Sequence, residues 1–300
     1  MAVYDALSGA LVSAFSPFGG FAGGVRVATG DVNGDGTDDL IVAAGPGGAP
    51  RVVVYDGATL TTSNQTVLAN FFVYETTFTG GVYVAAGDVN GDGFADLVIG
   101  AGLGGGPRVR VIDGQTLTSA TQTVLADFFA YESTFRGGVF VAAGEFTGDG
   151  RDDVVAGAAA GGGPRVEIFD LSGSSPALVA NYFAYDSSFR SGVFVATGDV
   201  NGDGILDVVT GPGFGGGPNV RAFSGRSSTL LTSFFAFDSS SRGGTPVATA
   251  DRNADGRDEI LAGSGVGGNG TVKLFDAAGG TAGADLQPFG TSYAGGVFVG

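Results

Sequence analysis

The sequence has no cysteine, no histidine, no tryptophan, a single methionine and, in Lys273, a single lysine. Without cysteine there is no disulfide framework, no thiolate metal site and no thiol nucleophile, and the redox compartment leaves no mark on the chain. Without histidine the commonest general base and zinc ligand are gone. Only 14 basic residues face 30 acidic ones, and a formal net charge of −16 argues against nucleic acid as a partner, since phosphate binding needs clustered Lys and Arg. No apolar run approaches the roughly 18 residues of a spanning helix, so membrane insertion is not expected. The opening residues, Met1-Ala2-Val3-Tyr4-Asp5, lack the basic start of a signal peptide.

What the chain has in excess is glycine, 58 of 300 residues, alongside 24 phenylalanines and a hydrophobic content of 43%. That is too much apolar material for a solvated coil, and glycine does not recur at every third position as collagen requires. Repetition organises the rest. The segment Asp-Val-Asn-Gly-Asp-Gly begins at Asp31, Asp88 and Asp199, with variants starting at Glu145 and Asp251, so the spacings are 57, 57, 54 and 52 residues. Each copy runs through a Gly-Gly-Val segment, the acidic loop, an aliphatic run, a Gly-rich turn ending in Pro in most copies, a second alternating run and an aromatic segment. In copy two the alternation and β-branched enrichment predict strands over 82–85, 97–100 and 109–112. Fourth strands are predicted over 69–74, 126–131, 180–185 and 232–237. The second strand is apolar on both faces and is expected to be deeply buried. The third carries Val53, Arg110, Glu167, Arg221 and Lys273 at one equivalent site, which predicts a solvated face.

Four antiparallel strands per repeat predict an all-β fold, a β-propeller of four-stranded blades forming one domain over residues 1–300. Val3-Tyr4-Asp5 resembles a third strand and Gly295-Gly296-Val297-Phe298 a first strand. The termini are therefore expected to share a sixth blade that has no second-strand equivalent; five blades are the alternative.

The acidic loops lie at 31–39, 88–96, 145–153, 199–207 and 251–259, and hold 18 of the 30 acidic residues. Loop one places Asp31, Asn33, Asp35 and Asp39 at positions 1, 3, 5 and 9, with the backbone carbonyl of Thr37 at position 7. Alternating oxygens around a glycine-permitted turn suit a hard cation such as calcium, which takes about six to eight oxygen ligands. Loop two repeats the set as Asp88, Asn90, Asp92, Phe94 and Asp96, and loop four as Asp199, Asn201, Asp203, Ile205 and Asp207. Loop five offers Asp251, Asn253, Asp255, Arg257 and the longer Glu259; loop three keeps Asp149 and Asp153 but has Glu145 and Thr147 at the first two positions. Three to five calcium ions are expected. An EF-hand would need flanking helices and a Glu at position 12, where loop one has Val42. The plainer reading of any one loop is a turn whose Asn, Asp and Gly serve backbone geometry. Five loops in register concentrate more like charge than a turn requires, and a cation would relieve it.

These loops, with the surrounding Gly-Gly-Val and Gly-Gly-Gly-Pro segments, resemble the FG-GAP repeat family, known from integrin α-subunit propellers and many bacterial secreted proteins. The repeats look most like those at the ends of large surface proteins of Gram-negative bacteria such as planctomycetes. The resemblance implies a propeller in which the acidic loop joins the first two strands of each blade and binds calcium. Extracellular sites of this kind have dissociation constants of about 10⁻⁴–10⁻³ M and fill only where calcium is abundant, so an extracellular or cell-surface location is expected.

The leading functional reading is a calcium-stabilised adhesion, recognition or structural module with a protein or glycan ligand, able to self-associate through unpaired terminal strands. The alternative is a multivalent lectin that stacks sugars on Phe71-Phe72-Val73-Tyr74, Phe128-Phe129-Ala130-Tyr131 and Tyr182-Phe183-Ala184-Tyr185, segments that packing between blades also explains. An enzyme is the least favoured class, because every carboxylate cluster recurs around the repeat whereas an active site is normally unique. The glycine-rich turns, such as 45–51, lack the Lys and helix of a phosphate-binding loop. Arg51, Arg108 and Arg165, each following a proline, are expected to pair with carboxylates or lie in solvent.

Overall fold

A computed structural model of the protein describes residues 1–5, 8–62, 64–290 and 292–300. An N-terminal hairpin pairs β1 (Ala2–Tyr4) with β2 (Leu11–Ala14). Blade one comprises β3 (Val25–Gly30), β4 (Asp39–Ala44), β5 (Arg51–Tyr55) and β6 (Val67–Phe72). Blade two is β7 (Val82–Gly87), β8 (Asp96–Ala101), β9 (Arg108–Ile112) and β10 (Val124–Phe129). Blade three is β11 (Val139–Gly144), β12 (Asp153–Ala158), β13 (Arg165–Asp170) and β14 (Ala177–Phe183). Blade four is β15 (Val193–Gly198), β16 (Asp207–Pro212), β17 (Asn219–Phe223) and β18 (Leu230–Phe235). Blade five has three strands, β19 (Val247–Ala250), β20 (Glu259–Gly263) and β21 (Val272–Phe275), its outer edge reduced to isolated bridges at Thr281 and Leu286.

Each blade is an antiparallel meander in chain order, and the first strands stand side by side around an axis. All six residues of β4, β8, β12 and β16 are buried, because these strands are covered on both faces. In β8, Leu97, Ile99 and Ala101 pack towards blade one while Val98 packs towards blade three. A Cβ on Gly157 would collide with the Val193 carbonyl oxygen of the next blade's first strand, which is why glycine stands there. Arg26, Tyr83, Phe140, Phe194, Pro246 and Phe298 line a small axial cavity of about 60 Å³, with the Arg26 guanidinium 3.5 Å from the centre of the Phe298 ring.

The propeller has five blades, the alternative count, and the expected sixth blade does not form a sheet. The termini occupy the remaining sector. Val297 N–H donates to the Ser264 carbonyl at 2.9 Å, and Gly300 abuts the Val27 carbonyl, so the segment 296–300 sits between blade five and blade one. With no second strand to bridge it to β1, the segment joins no ladder.

Two further expectations change. The face of the third strand is not solvated: Val53 and Glu167 are buried, and the Arg110 and Arg221 guanidinium groups donate to the Val73 and Ala184 carbonyls of the preceding blade. Charge at this site spans an interface, which a composition pattern does not distinguish from exposure. The fourth strands also end two residues before the predicted limits at Tyr74, Tyr131 and Tyr185, because these tyrosines turn inward to lock onto the next blade. The Tyr131 hydroxyl is shared between the Ala156 and Arg165 carbonyls at 2.7 and 2.9 Å; Tyr74 and Tyr185 reach the equivalent pairs, Ile99 with Arg108 and Thr210 with Asn219. Blade four has Phe237 instead. Replacing Tyr131 with Phe leaves two buried carbonyls short of a donor, and a loss of about 1–3 kcal/mol is expected. Urea denaturation should show it as a lower midpoint at unchanged slope.

Candidate functional site

Up-and-down strand order places all five acidic loops at the same end of the ring, each joining a blade's first two strands. In loop one the Asp31 carboxylate accepts from the N–H groups of Gly34, Asp35 and Gly36 at 2.7, 3.1 and 2.8 Å. Asn33 Oδ1 accepts from Asp35 N–H and Asp35 Oδ1 from Thr37 N–H, so the side chains of positions 1, 3 and 5 wrap one turn. The turn needs Gly34 and Gly36 at φ of 73° and 84°, conformations that L-residues with a Cβ rarely adopt. Loops two and four reproduce the position-1 bonds with Asp88 and Asp199. In loop three the longer Glu145 reaches the N–H groups of Thr147, Gly148 and Gly150, so this loop keeps its shape with a different first residue.

Position 9 opens the second strand beneath each loop. Asp39, Asp96, Asp153, Asp207 and Glu259 are all buried. Asp39 accepts from Val32 N–H at 3.1 Å and Gly57 N–H at 2.9 Å, stapling the loop to the turn after the third strand; Asp96 does the same with Val89 and Gly114. Desolvation pushes the Asp96 carboxyl up to about 7 and those of Asp153 and Asp207 to about 6, with neighbouring acids adding to the shift and backbone N–H donors opposing it.

The chemistry of the donor set fits a hard cation, since every side-chain donor is a carboxylate or amide oxygen. The loops also draw positive dipoles into the acids: Asn201 Nδ2 donates to both Asp207 oxygens at 3.1 and 2.9 Å, and Asn253 Nδ2 to Glu259 at 2.8 Å. In loops one and two the same amide turns to position 5, bonding Asp35 and Asp92. The structure thus brings position 3 to position 9 in loops four and five and to position 5 in loops one and two. Among the described residues, no three acidic side chains converge closely enough to grip an ion as they stand. Thr37, Phe94, Ile205 and Arg257 at position 7 use their N–H groups on the position-5 carboxylate, which leaves their carbonyls to any metal.

Position 8 carries a role that the sequence reading missed. Asp152 Oδ2 accepts from Asp88 N–H at 2.8 Å and Asp258 Oδ2 from Asp199 N–H at 2.8 Å, each returned by a backbone bond, so consecutive loops are clasped across the blades. The signal was an acid lying outside the odd-numbered ligand pattern.

The opposite end of the ring carries a cleft of about 260 Å³ lined by Tyr131, Glu132, Phe135, Arg165, Phe183 and Arg190. Of each aromatic pair the first residue packs inward, as Phe128 does on Phe169 at 5.1 Å, while Phe72, Phe129, Phe183 and Phe235 stay about half exposed (51–59%). Arg165 lies over the Tyr131 ring and pairs with Glu132 and Glu167 at 3.1 and 3.0 Å, and Arg108 pairs with Asp127 at 2.7 Å, as expected of carboxylate partners.

Antiparallel blades whose first two strands are joined by Asp-x-Asn-x-Asp-Gly loops are those of an FG-GAP β-propeller. The chain belongs to that family: the FG-GAP-like repeat pattern matches residues 31–99 and 88–156 and the FG-GAP repeat pattern residues 191–230, together more than half of the sequence. It is 26% identical over 135 residues to integrin alpha-8 of Gallus gallus, a match to 39% of this chain and only 12% of that protein. Among solved structures it resembles an Agrocybe aegerita lectin described as recognising non-reducing terminal N-acetylglucosamine (TM-score 0.54, 20% identity, 93% of this chain and 71% of that one). It also resembles Bacillus licheniformis rhamnogalacturonan lyase PL11 (TM-score 0.50, 14% identity, 92% and 54%). At these identities the likeness is one of fold.

Proposed function

We propose that the protein is a calcium-stabilised, non-catalytic recognition module that works outside the cell or at its surface. The observation that carries this reading is the buried position-9 carboxylate beneath an oxygen-rich loop, repeated in all five copies. A desolvated anion among like charges is unfavourable until a cation joins it. In loops one, two, four and five the metal would be held by positions 1, 3, 5 and 9 and the carbonyl of position 7. When bound, calcium neutralises the cluster and ties the first two strands of a blade together. The integrin match supports an extracellular setting and a protein or glycan ligand.

Calorimetric titration with elemental analysis tests this. Three to five ions per chain are expected, with one lost on each of Asp35→Ala, Asp92→Ala and Asp203→Ala. No bound metal at millimolar calcium would leave the loops as turns and remove the metal from the proposal.

A second reading, a glycan-binding role for the cleft, is favoured by one specific observation: half-exposed Phe183 beside Arg165, Glu132 and Arg190 presents a flat apolar face next to hydrogen-bonding groups. Phe183→Ala with Phe129→Ala should weaken retention on an immobilised glycan by about tenfold while leaving stability within roughly 0.5 kcal/mol. Unchanged retention, or none in the parent protein, would remove this reading.

A further inference from the structure

The open sector of the ring has the outline of a blade that lacks one strand. Two internal correspondences establish this. The N-terminal hairpin copies the outer half of a blade: Phe15 stacks edge-on against Tyr55 at 5.1 Å, as Phe128 does against Phe169, and Arg51 lies over Phe18 as Arg108 lies over Tyr74. So β1 and β2 stand where a third and a fourth strand stand elsewhere. The segment 296–300 copies a first strand, since the Val297 carbonyl meets Gly263 of β20 as the Val193 carbonyl meets Gly157 of β12. Among the described residues no strand occupies the second-strand position between them, and β1 is paired on one edge only.

The consequence is visible on blade one. In blades two to four the first-strand valines, Val82 and Val84, Val139 and Val141, Val193 and Val195, are 0–8% exposed. The last four of these lie directly against the glycine of the preceding blade's second strand. Their counterparts Val25 and Val27 are only half-buried, as are Ala2, Val3 and Val299. The Val25 carbonyl, which faces that strand in the other blades, is taken instead by Arg26 Nη1 at 3.1 Å. The half-exposed surface therefore continues the established blade-to-blade interface.

We propose that the sector between β1 and segment 296–300 is a strand-acceptor site. It takes a single antiparallel strand of five or six residues with the pattern of β4, β8, β12, β16 and β20: an acid, two large aliphatic residues, a variable residue and then glycine or alanine. Backbone bonds to β1 and to 296–300 give affinity, and the aliphatic pair fills the space beside Val3, Val25 and Val27. The small residue is required where the neighbouring backbone comes close. The donor is a strand of a partner polypeptide with this pattern rather than a second copy, because every second strand of this chain is paired on both edges, and lending one would dismantle a blade. The site is separate from the metal loops and does not depend on them.

The test uses a synthetic peptide with the sequence of residues 95–102, which contains β8 without its acidic loop, and a control carrying proline in place of Ile99. Saturable binding of one peptide per chain is expected, with a higher melting temperature and slowed amide exchange at residues 2–4 and 297–300. The proline peptide should not bind, since it removes a ladder donor. Val27→Lys on the receiving face, where the native side chain is only partly buried, should weaken the peptide by about tenfold or more while the variant keeps the parent's circular dichroism spectrum. Absence of saturable binding overturns the proposal. So does a concentration-dependent dimer, seen by sedimentation without peptide, that protects the same amides.

Discussion

Excess chelator lowers the melting temperature of the protein by roughly 5–20 °C relative to about 2 mM calcium, the largest effect expected of any change in solution conditions. An ion that binds only the folded state stabilises it by an amount set by its concentration over its dissociation constant, which at extracellular-type affinity is about 0.6–1.8 kcal/mol per site. Three to five sites in one cooperative unit then contribute roughly 2–9 kcal/mol. Differential scanning calorimetry in the two buffers measures it. Magnesium should not substitute, because it demands a tight octahedron and gives up its waters reluctantly. Asp92→Ala should reduce the calcium-dependent part by one site's worth, for in the absence of metal its carboxylate holds only Phe94 N–H and the Asn90 amide. Equal melting temperatures in the two buffers would show that backbone N–H donors alone satisfy the loops.

Much of this architecture is written at the scale of one repeat, and what the sequence conceals lies between repeats. The run Asp96-Leu97-Val98-Ile99-Gly100-Ala101 announces a strand buried on both faces, and the structure buries all six residues. The position of the acidic loop is equally plain, since its glycines at fixed offsets mark a turn and the structure places each copy between a blade's first two strands. Blade number is different. Both termini carry recognisable strand fragments and the sequence offers no second strand between them, but whether a three-stranded blade still closes depends on a ladder that composition does not show, and none forms. Arg110 and Glu167 mislead for a related reason: a charged residue in an alternating strand marks solvent only if no partner covers it, and here the neighbouring blade's Val73 carbonyl takes Arg110 while Arg165 and Asn181 of its own blade take Glu167. Tyr131 reads as one more strand aromatic until the adjacent blade shows where its hydroxyl goes. Asp152 and Asp258 count as surplus acids until the next loop's backbone is placed beside them.

Ile99→Ala is expected to cost about 2–5 kcal/mol, the largest loss from any single truncation considered. Ile99 is fully buried among Ile41, Val54 and Tyr74 of blade one and Leu97 of its own strand, and its carbonyl accepts the Tyr74 hydroxyl at 3.1 Å. Neighbours in a two-sided strand cannot collapse into the space, because β8 is pinned by ladders to β7 and β9 and by Val98 packing towards blade three. Val27→Ala is the matched control: its side chain is only partly buried, against the Leu40 and Val42 cluster, and a loss of about 1 kcal/mol, well below that of Ile99→Ala, is expected. Urea denaturation of the two variants compares them directly, and near-equal losses would mean that the sector beside blade one is closed. The shape of the Ile99→Ala transition carries further information. In a linear repeat array, damage to one unit lets its neighbours unfold separately. Here blade two is clasped to blade one through Tyr74 and to blade three through Tyr131 and Asp152, so a single transition at a lower midpoint is expected. Two separated transitions would show that the locks between blades are weaker than the ladders within them.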